Sequence, residues 1–126
     1  MNAVPSAKTA YNSTSMAPVR TSRGTEYEVF ARVTRNIQSA ASAGETGFGK
    51  LAQALHDNRR LWTLLAADVS ENENGLPADL RARIFYLSEF TADHSRKVLS
   101  EGESADILVE INTAMMRGLR QMTEAA

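Results

Sequence analysis

The segment from Leu76 to Leu99 repeats a mainly apolar stripe at steps of three and four residues, the period of one face of an α-helix. Pro77 at its start suits the first helical position, and Gly102 beyond its end suits a left-handed cap. The stripe consists of Leu80, Ile84, Leu87, Thr91, His94 and Val98. Apolar residues on the opposite side are Phe85, Ala92 and Leu99. A helix that is apolar on two sides is usually buried or covered by a partner, so we expect the central helix of a bundle here.

Three other segments repeat apolar residues with the same period. Thr25 and Glu28 form a capping-box pattern, which predicts that the first helix starts at residue 25. The second helix is expected from about Phe48 to Val69, and the last from near Ser104 to Met122. The four stripes together predict an all-α protein, an antiparallel four-helix bundle over residues 25–122 without a sheet.

The composition limits the class of protein. The chain has 126 residues, which suits one domain with a single core. Its 14 Lys and Arg residues face 15 Asp and Glu residues, a balance that argues against nucleic-acid binding as the main task. The absence of cysteine fits a reducing compartment. No apolar run approaches the ~20 residues of a membrane span, and no secretory signal is visible, so we expect a cytoplasmic protein without a membrane partner.

Groups suited to catalysis or metal binding are few. Of the two histidines, His56 lies off its stripe beside Asp57 and is expected in solvent, whereas His94 lies in an apolar seam without companion ligands. The sequence has no glycine-rich phosphate loop and no G-x-S-x-G elbow. We therefore expect a protein that is not an enzyme and holds no metal or cofactor, with a structural role for His94.

Individual polar and small residues in the stripes carry structural predictions. Asn58 falls inside the second stripe, with Arg59 at its border, and needs hydrogen-bond partners that can fix the helix register. One partner could be His94, across two helices. Trp62 is centred on the same stripe, which predicts a core residue and not a binding anchor. Gly118 in the last stripe is expected to permit the close approach of another helix.

Several apolar residues lie outside the main stripes and are therefore not needed for the predicted core. They are Leu64, Phe85 and Leu99, together with a line on the last helix that runs through Val109, Asn112 and Met116. One interpretation is that neighbouring helices cover them, or that residues 1–24 do, as a tail or flap carrying Tyr11. The other is that all of them except Leu64 line a groove for an amphipathic helix of a partner, and that the flap moves aside.

Four separate motifs follow one another in this sequence. They are Asn58-Arg59-Arg60-Leu61-Trp62, Gly75-Leu76-Pro77, Phe90-Thr91…His94…Lys97-Val98-Leu99 and Ile111-Asn112…Met116-Arg117-Gly118-Leu119. In this combination and order, the chain resembles the FlaF flagellar biosynthesis regulators over roughly residues 25–120.

The resemblance implies a small cytoplasmic protein that is required for flagellin production and export. It implies a flagellin-binding secretion chaperone, working opposite the translational repressor FlbT, with flagellin as the partner and FlbT as a second candidate partner. It implies no enzymatic activity and no cofactor. The alternative hypothesis is an RNA-associated post-transcriptional regulator of flagellin expression that acts with FlbT. The lack of net positive charge counts against direct RNA contact, so we expect that contact to be absent or indirect.

Overall fold

The computed structural model describes the backbone of residues 19–71 and 75–125, and the side chains of residues 27–71 and 75–120. The described backbone forms four α-helices: α1 (Val19–Ser42), α2 (Phe48–Val69), α3 (Ala78–Glu101) and α4 (Asp106–Ala125). A short 3-10 turn, Gly44–Gly47, joins α1 to α2. No strand occurs among these residues, which confirms the all-α prediction. The predicted Tyr11 flap lies outside the described residues.

The helices pack as a bundle whose centre is not the predicted one. α1 packs extensively against both α4 and α2, and α2 packs against α3. α3 and α4 follow each other in the chain, but they pack against each other less extensively than any of the other three pairs. The prediction that α3 is the central helix is therefore wrong, because α1 and α2 each pack along two neighbours whereas α3 packs mainly along one.

The helix ends agree with the sequence in part. α2 has the predicted bounds, and Gly102 ends α3 with a left-handed φ of 75°. Pro77, in contrast, is the N-cap of α3 and not its first helical residue, with an extended ψ of 150°. The prediction for α1 is also corrected, because the helix begins at Val19 and Thr25 lies inside it.

The core consists of two adjoining clusters. One surrounds Ile37, Leu55 and Leu108, towards the end of the bundle where α1 stops and α4 starts. The other surrounds Phe30 and Trp62, whose rings meet edge-to-face with centroids 5.6 Å apart. Trp62 is 1% exposed, as its place at the centre of the stripe predicts.

A buried polar layer ties three helices together inside this core. The Trp62 indole Nε1–H of α2 donates to the Asn112 Oδ1 of α4 at 2.9 Å. Asn112 Nδ2 in turn donates to Asn58 Oδ1 at 2.8 Å and to Thr34 Oγ1 of α1 at 3.1 Å. Asn58 is buried as predicted, but its partner is Asn112 and not His94. A slip of α4 would break all three of these hydrogen bonds, a slip of α2 would break two and a slip of α1 one, so the layer fixes their register.

His94 instead fastens the connection between α3 and α4. Its Nε2 lies 2.8 Å from the Ser104 carbonyl oxygen, which can only accept, so Nε2 carries the proton. The ring stacks on Phe90 with centroids 5.4 Å apart. Ser104 Oγ also accepts a hydrogen bond from the Asp106 backbone N–H, which satisfies a free donor at the start of α4. His94 is half-buried and lies outside the buried seam that the sequence predicts.

Removing the centre of the polar layer should weaken the fold. Asn112→Ala leaves the Trp62 indole N–H and the Asn58 amide oxygen buried without their partner. We expect a loss of about 1–3 kcal/mol in the free energy of unfolding for each such group. Urea unfolding followed by the fluorescence of Trp62, the single tryptophan, measures this loss. Thr113→Ala, an exposed neighbour, is the control, and an equal effect of the two changes would contradict the account.

His94→Ala should loosen the α3–α4 connection because it removes the hydrogen bond to the Ser104 carbonyl. The expected cost is about 1 kcal/mol of unfolding free energy. Amide exchange should accelerate at residues 102–105 and change little in α1. The matched control is His56→Ala, at the exposed histidine of α2. If both variants exchange equally fast at residues 102–105, His94 has no such structural role.

Candidate partner-binding surface

The partner surface predicted from the sequence is divided between two sides of the bundle. Val109 lines a groove against Ile37 of α1, and Met116 lies two turns further along the same side of α4. On α3, the Ser88 hydroxyl, one turn from Phe85, donates to the Trp62 carbonyl of α2 at 3.4 Å. Phe85 is 42% exposed on this α2 side of α3.

Leu99, four turns further along the side of α3 that carries Phe85, packs partly buried against the core. Val109 and Met116 are also partly buried, each against one of the two core clusters. The structure therefore does not bring the predicted residues into one groove. The physical reason is that α1 covers one side of α4 and α2 covers one side of α3, so these two sides face away from each other.

Asn112, which the sequence analysis places on the partner surface, is corrected to a core residue. It is 1% exposed, and both polar atoms of its amide are hydrogen-bonded within the polar layer. The spacing of Ala105, Leu108, Asn112, Met115 and Leu119 alternates three and four residues and could have placed it in the seam. The predicted α4 stripe included Leu108, Met115 and Leu119 of this line, but it was centred towards Ile111 and Gly118 and so left Asn112 outside.

The opposite side of α4 is open. Ile107, Ile111, Ala114 and Gly118 follow one another at steps of four, three and four residues and so share a face. This face points away from α1, towards the sparse α3 side. Ile107 is 36% exposed, and a Cβ placed on Gly118 would meet no atom within 4 Å. The close helix approach predicted at Gly118 is therefore not made by the described part of the chain.

α3 supplies the facing wall. Leu80, Leu87 and Phe90 share the side of α3 from which His94 reaches towards α4, and all three are partly buried. Tyr86, one turn before Phe90, is 65% exposed at the rim. We call this surface the α3–α4 cleft: Leu80, Tyr86, Leu87 and Phe90 on α3, with Ile107, Ile111, Ala114 and Gly118 on α4. Its apolar side chains come from two neighbouring helices that pack only sparsely against each other, an arrangement that suits the binding of a third helix.

Charges along the exposed side of α3 are largely compensated. One carboxylate oxygen of Asp93 pairs with Arg96, and the other lies 3.5 Å from Lys97 Nζ. The hydrogen bond from Arg96 is the main reason why the pKa of Asp93 lies below its ordinary value, with Lys97 adding to the effect. Because all three groups are exposed, these pairs contribute little to stability. Over the whole of α3, four basic residues stand against four acidic residues, so the helix carries no net charge.

Two further surfaces carry charge that no described side chain pairs with. A groove of about 460 Å³ between α1 and α4 has Asp106 and Glu110 on its wall. The other surface is the outer side of α2, where His56, Arg59, Arg60, Thr63 and Leu64 project from one helix. Arg59 is exposed there, beside the buried seam, as predicted. The acidic groove could not be predicted from the sequence, because it depends on how α1 packs against α4.

Some classes of site are not seen in the described part of the chain. No group of three or more His, Cys, Asp or Glu side chains there could hold a metal ion. No described helix combines the length and apolar character needed to span a membrane.

Comparison with known proteins gives one match. No curated protein and no solved structure matches the chain. The family model described as flagellar protein FlaF matches residues 7–119, which is nearly the whole chain. This range includes all four motifs on which the resemblance rests, and it covers both walls of the α3–α4 cleft. The chain therefore belongs to the FlaF family of flagellar proteins.

Proposed function

We propose that this FlaF protein is a flagellin-binding secretion chaperone, needed for flagellin synthesis and export. Membership of a flagellar family supports the choice of flagellin as the partner. The single structural observation that carries the proposal is the α3–α4 cleft, an apolar strip between two helices that no described residue fills. Proteins of this size rarely leave such a strip exposed unless it binds something.

The cleft suits an amphipathic helix. A third helix laid between α3 and α4 would cover Ile107 and Tyr86 and extend the partly buried side chains around Trp62 into a continuous core. Fully burying one large apolar side chain contributes roughly 1.5–3 kcal/mol, so a few such contacts exceed the cost of ordering the ligand. The compensated charges on α3 leave apolar contact as the main source of affinity.

In this proposal, chaperone activity results from covering a helix of flagellin that would otherwise contact other flagellin subunits. A flagellin helix held in the cleft cannot pack against another flagellin subunit, so the subunit stays monomeric and competent for export. Binding also lowers the concentration of free flagellin. Regulation of flagellin translation then follows indirectly from the free concentration, or through FlbT.

A second candidate function rests on the outer side of α2. Arg59 and Arg60 are exposed beside His56, and this basic strip could hold RNA phosphates. An RNA-associated regulator acting with FlbT would use this strip and not the cleft. No Phe, Tyr or Trp side chain lines the strip to stack on bases, so we place this function second.

A glycine pair tests the flagellin proposal. Gly118→Leu places a side chain in the open cleft, and we expect the affinity for flagellin to fall at least tenfold. Gly49→Leu is the matched control, since Gly49 is a helical glycine with equally open surroundings on α2. Calorimetric titration with monomeric flagellin measures both variants. Each should keep its helicity, because neither glycine has a positive φ or a neighbour that a Cβ would strike.

Different results would contradict the proposed binding site and the proposed chaperone function. Equal affinities of Gly118→Leu and Gly49→Leu would remove the cleft as the site. If the wild-type protein co-elutes with flagellin message, and neither co-elutes with flagellin nor binds it in the titration, the RNA function replaces the chaperone function.

A further inference from the structure

The groove between α1 and α4 is apolar at its base and acidic at its wall. Its apolar lining comes from Ile37, Ala41, Ala105 and Val109. Asp106 and Glu110, one helical turn apart on α4, supply two carboxylates, and Gln38 and Ser42 complete the lining. No basic residue lines this groove, so it favours an apolar side chain accompanied by positive charge.

The outer side of α2 has the opposite character. Leu64 is 64% exposed, and Arg60 and His56 precede it at steps of one turn, so the three residues form a ridge. Arg59 and Thr63 flank this ridge, and no acidic residue lines the surface. Neither Arg59 nor Arg60 makes an ion pair with another described side chain.

These two surfaces cannot meet within one chain. α2 and α4 lie on a diagonal of the bundle and meet through buried side chains such as Trp62 and Asn112, whereas the two charged surfaces face outwards. Leu64 also points outwards from α2, whereas the acidic groove opens between α1 and α4. Within the described part of the chain, each surface therefore keeps its charge unpaired and its apolar area uncovered.

We propose that a second copy of this chain supplies the complement to each surface. The α2 ridge of one copy enters the α1–α4 groove of the next, with Leu64 against Val109 and with Arg60 near Glu110. Residues one turn apart on a helix are ≈ 5–6 Å apart at Cβ. With the two helices antiparallel, the step from Arg60 to Leu64 therefore matches the step from Glu110 to Asp106, which brings Leu64 beside Val109. Ridge-into-groove packing of this kind is the ordinary mode of helix contact.

The contact is heterologous, because it joins two different surfaces, and each copy keeps one free ridge and one free groove. Its small area predicts weak, reversible association. Its charge pairs predict that association weakens as salt rises, since exposed charges are screened within about 3 Å at 1 M salt. The α3–α4 cleft lies on the other side of α4, so this inference stands independently of flagellin binding.

Sedimentation velocity over a range of protein concentrations tests the proposal. At low salt, the weight-average sedimentation coefficient of the wild-type protein should rise with concentration, and the rise should vanish at high salt. Arg60→Glu and Glu110→Arg should each abolish the rise. The double variant carrying both changes should restore it, because the charge pair is then reversed.

Matched charge reversals on α3 control for net charge. Arg83→Glu and Glu89→Arg change the charge by the same amounts at exposed positions outside both surfaces, and they should leave the concentration dependence intact. A wild-type sedimentation coefficient that does not change with concentration would overturn the proposal. So would reversals at 60 and 110 that behave like those at 83 and 89, or a double variant that fails to recover self-association while its helicity is retained.

Discussion

The hydrogen bonds that centre on Asn112 are the constraint on which the rest of this structure depends. Three of the four helices contribute side chains to one buried polar layer. The Asn112 side chain is its centre, because it is hydrogen-bonded both to Thr34 of α1 and to Asn58 and Trp62 of α2. Apolar side chains would tolerate sliding of one helix along another, whereas buried amide and indole groups lose their partners if the register changes. The layer therefore sets which faces of α1, α2 and α4 point inwards.

This arrangement leaves α3 less constrained than the other helices. The Ser88 hydroxyl of α3 reaches only the backbone carbonyl of Trp62, at 3.4 Å, and takes no part in the side-chain hydrogen bonds around Asn112. The other described contacts that hold α3 are its packing on α2 and the His94 link to Ser104. A helix held along one neighbour and at one end can leave a gap towards its other neighbour. The α3–α4 cleft is thus a consequence of where the specific interactions lie, and the proposed binding function uses the face that the core does not need.

Much of the fold could be predicted from the sequence, because helix period and end signals are local. The bounds of α2, the left-handed Gly102 and the burial of Trp62 follow directly from spacing and residue type. The seam of α4 could not be placed with the same ease, because Ile107, Ile111 and Ala114 are as apolar as the residues that are buried. The Asn112 side chain decides between the two faces, and its partners lie on other helices.

The central claim is that this FlaF protein binds flagellin by burying the apolar surface of the α3–α4 cleft. The most direct test is calorimetric titration of the protein with monomeric flagellin at several temperatures. Because the account attributes affinity to apolar burial, it predicts saturable binding with a negative heat-capacity change. Saturable binding whose enthalpy does not change with temperature, or no binding at any temperature, would contradict it.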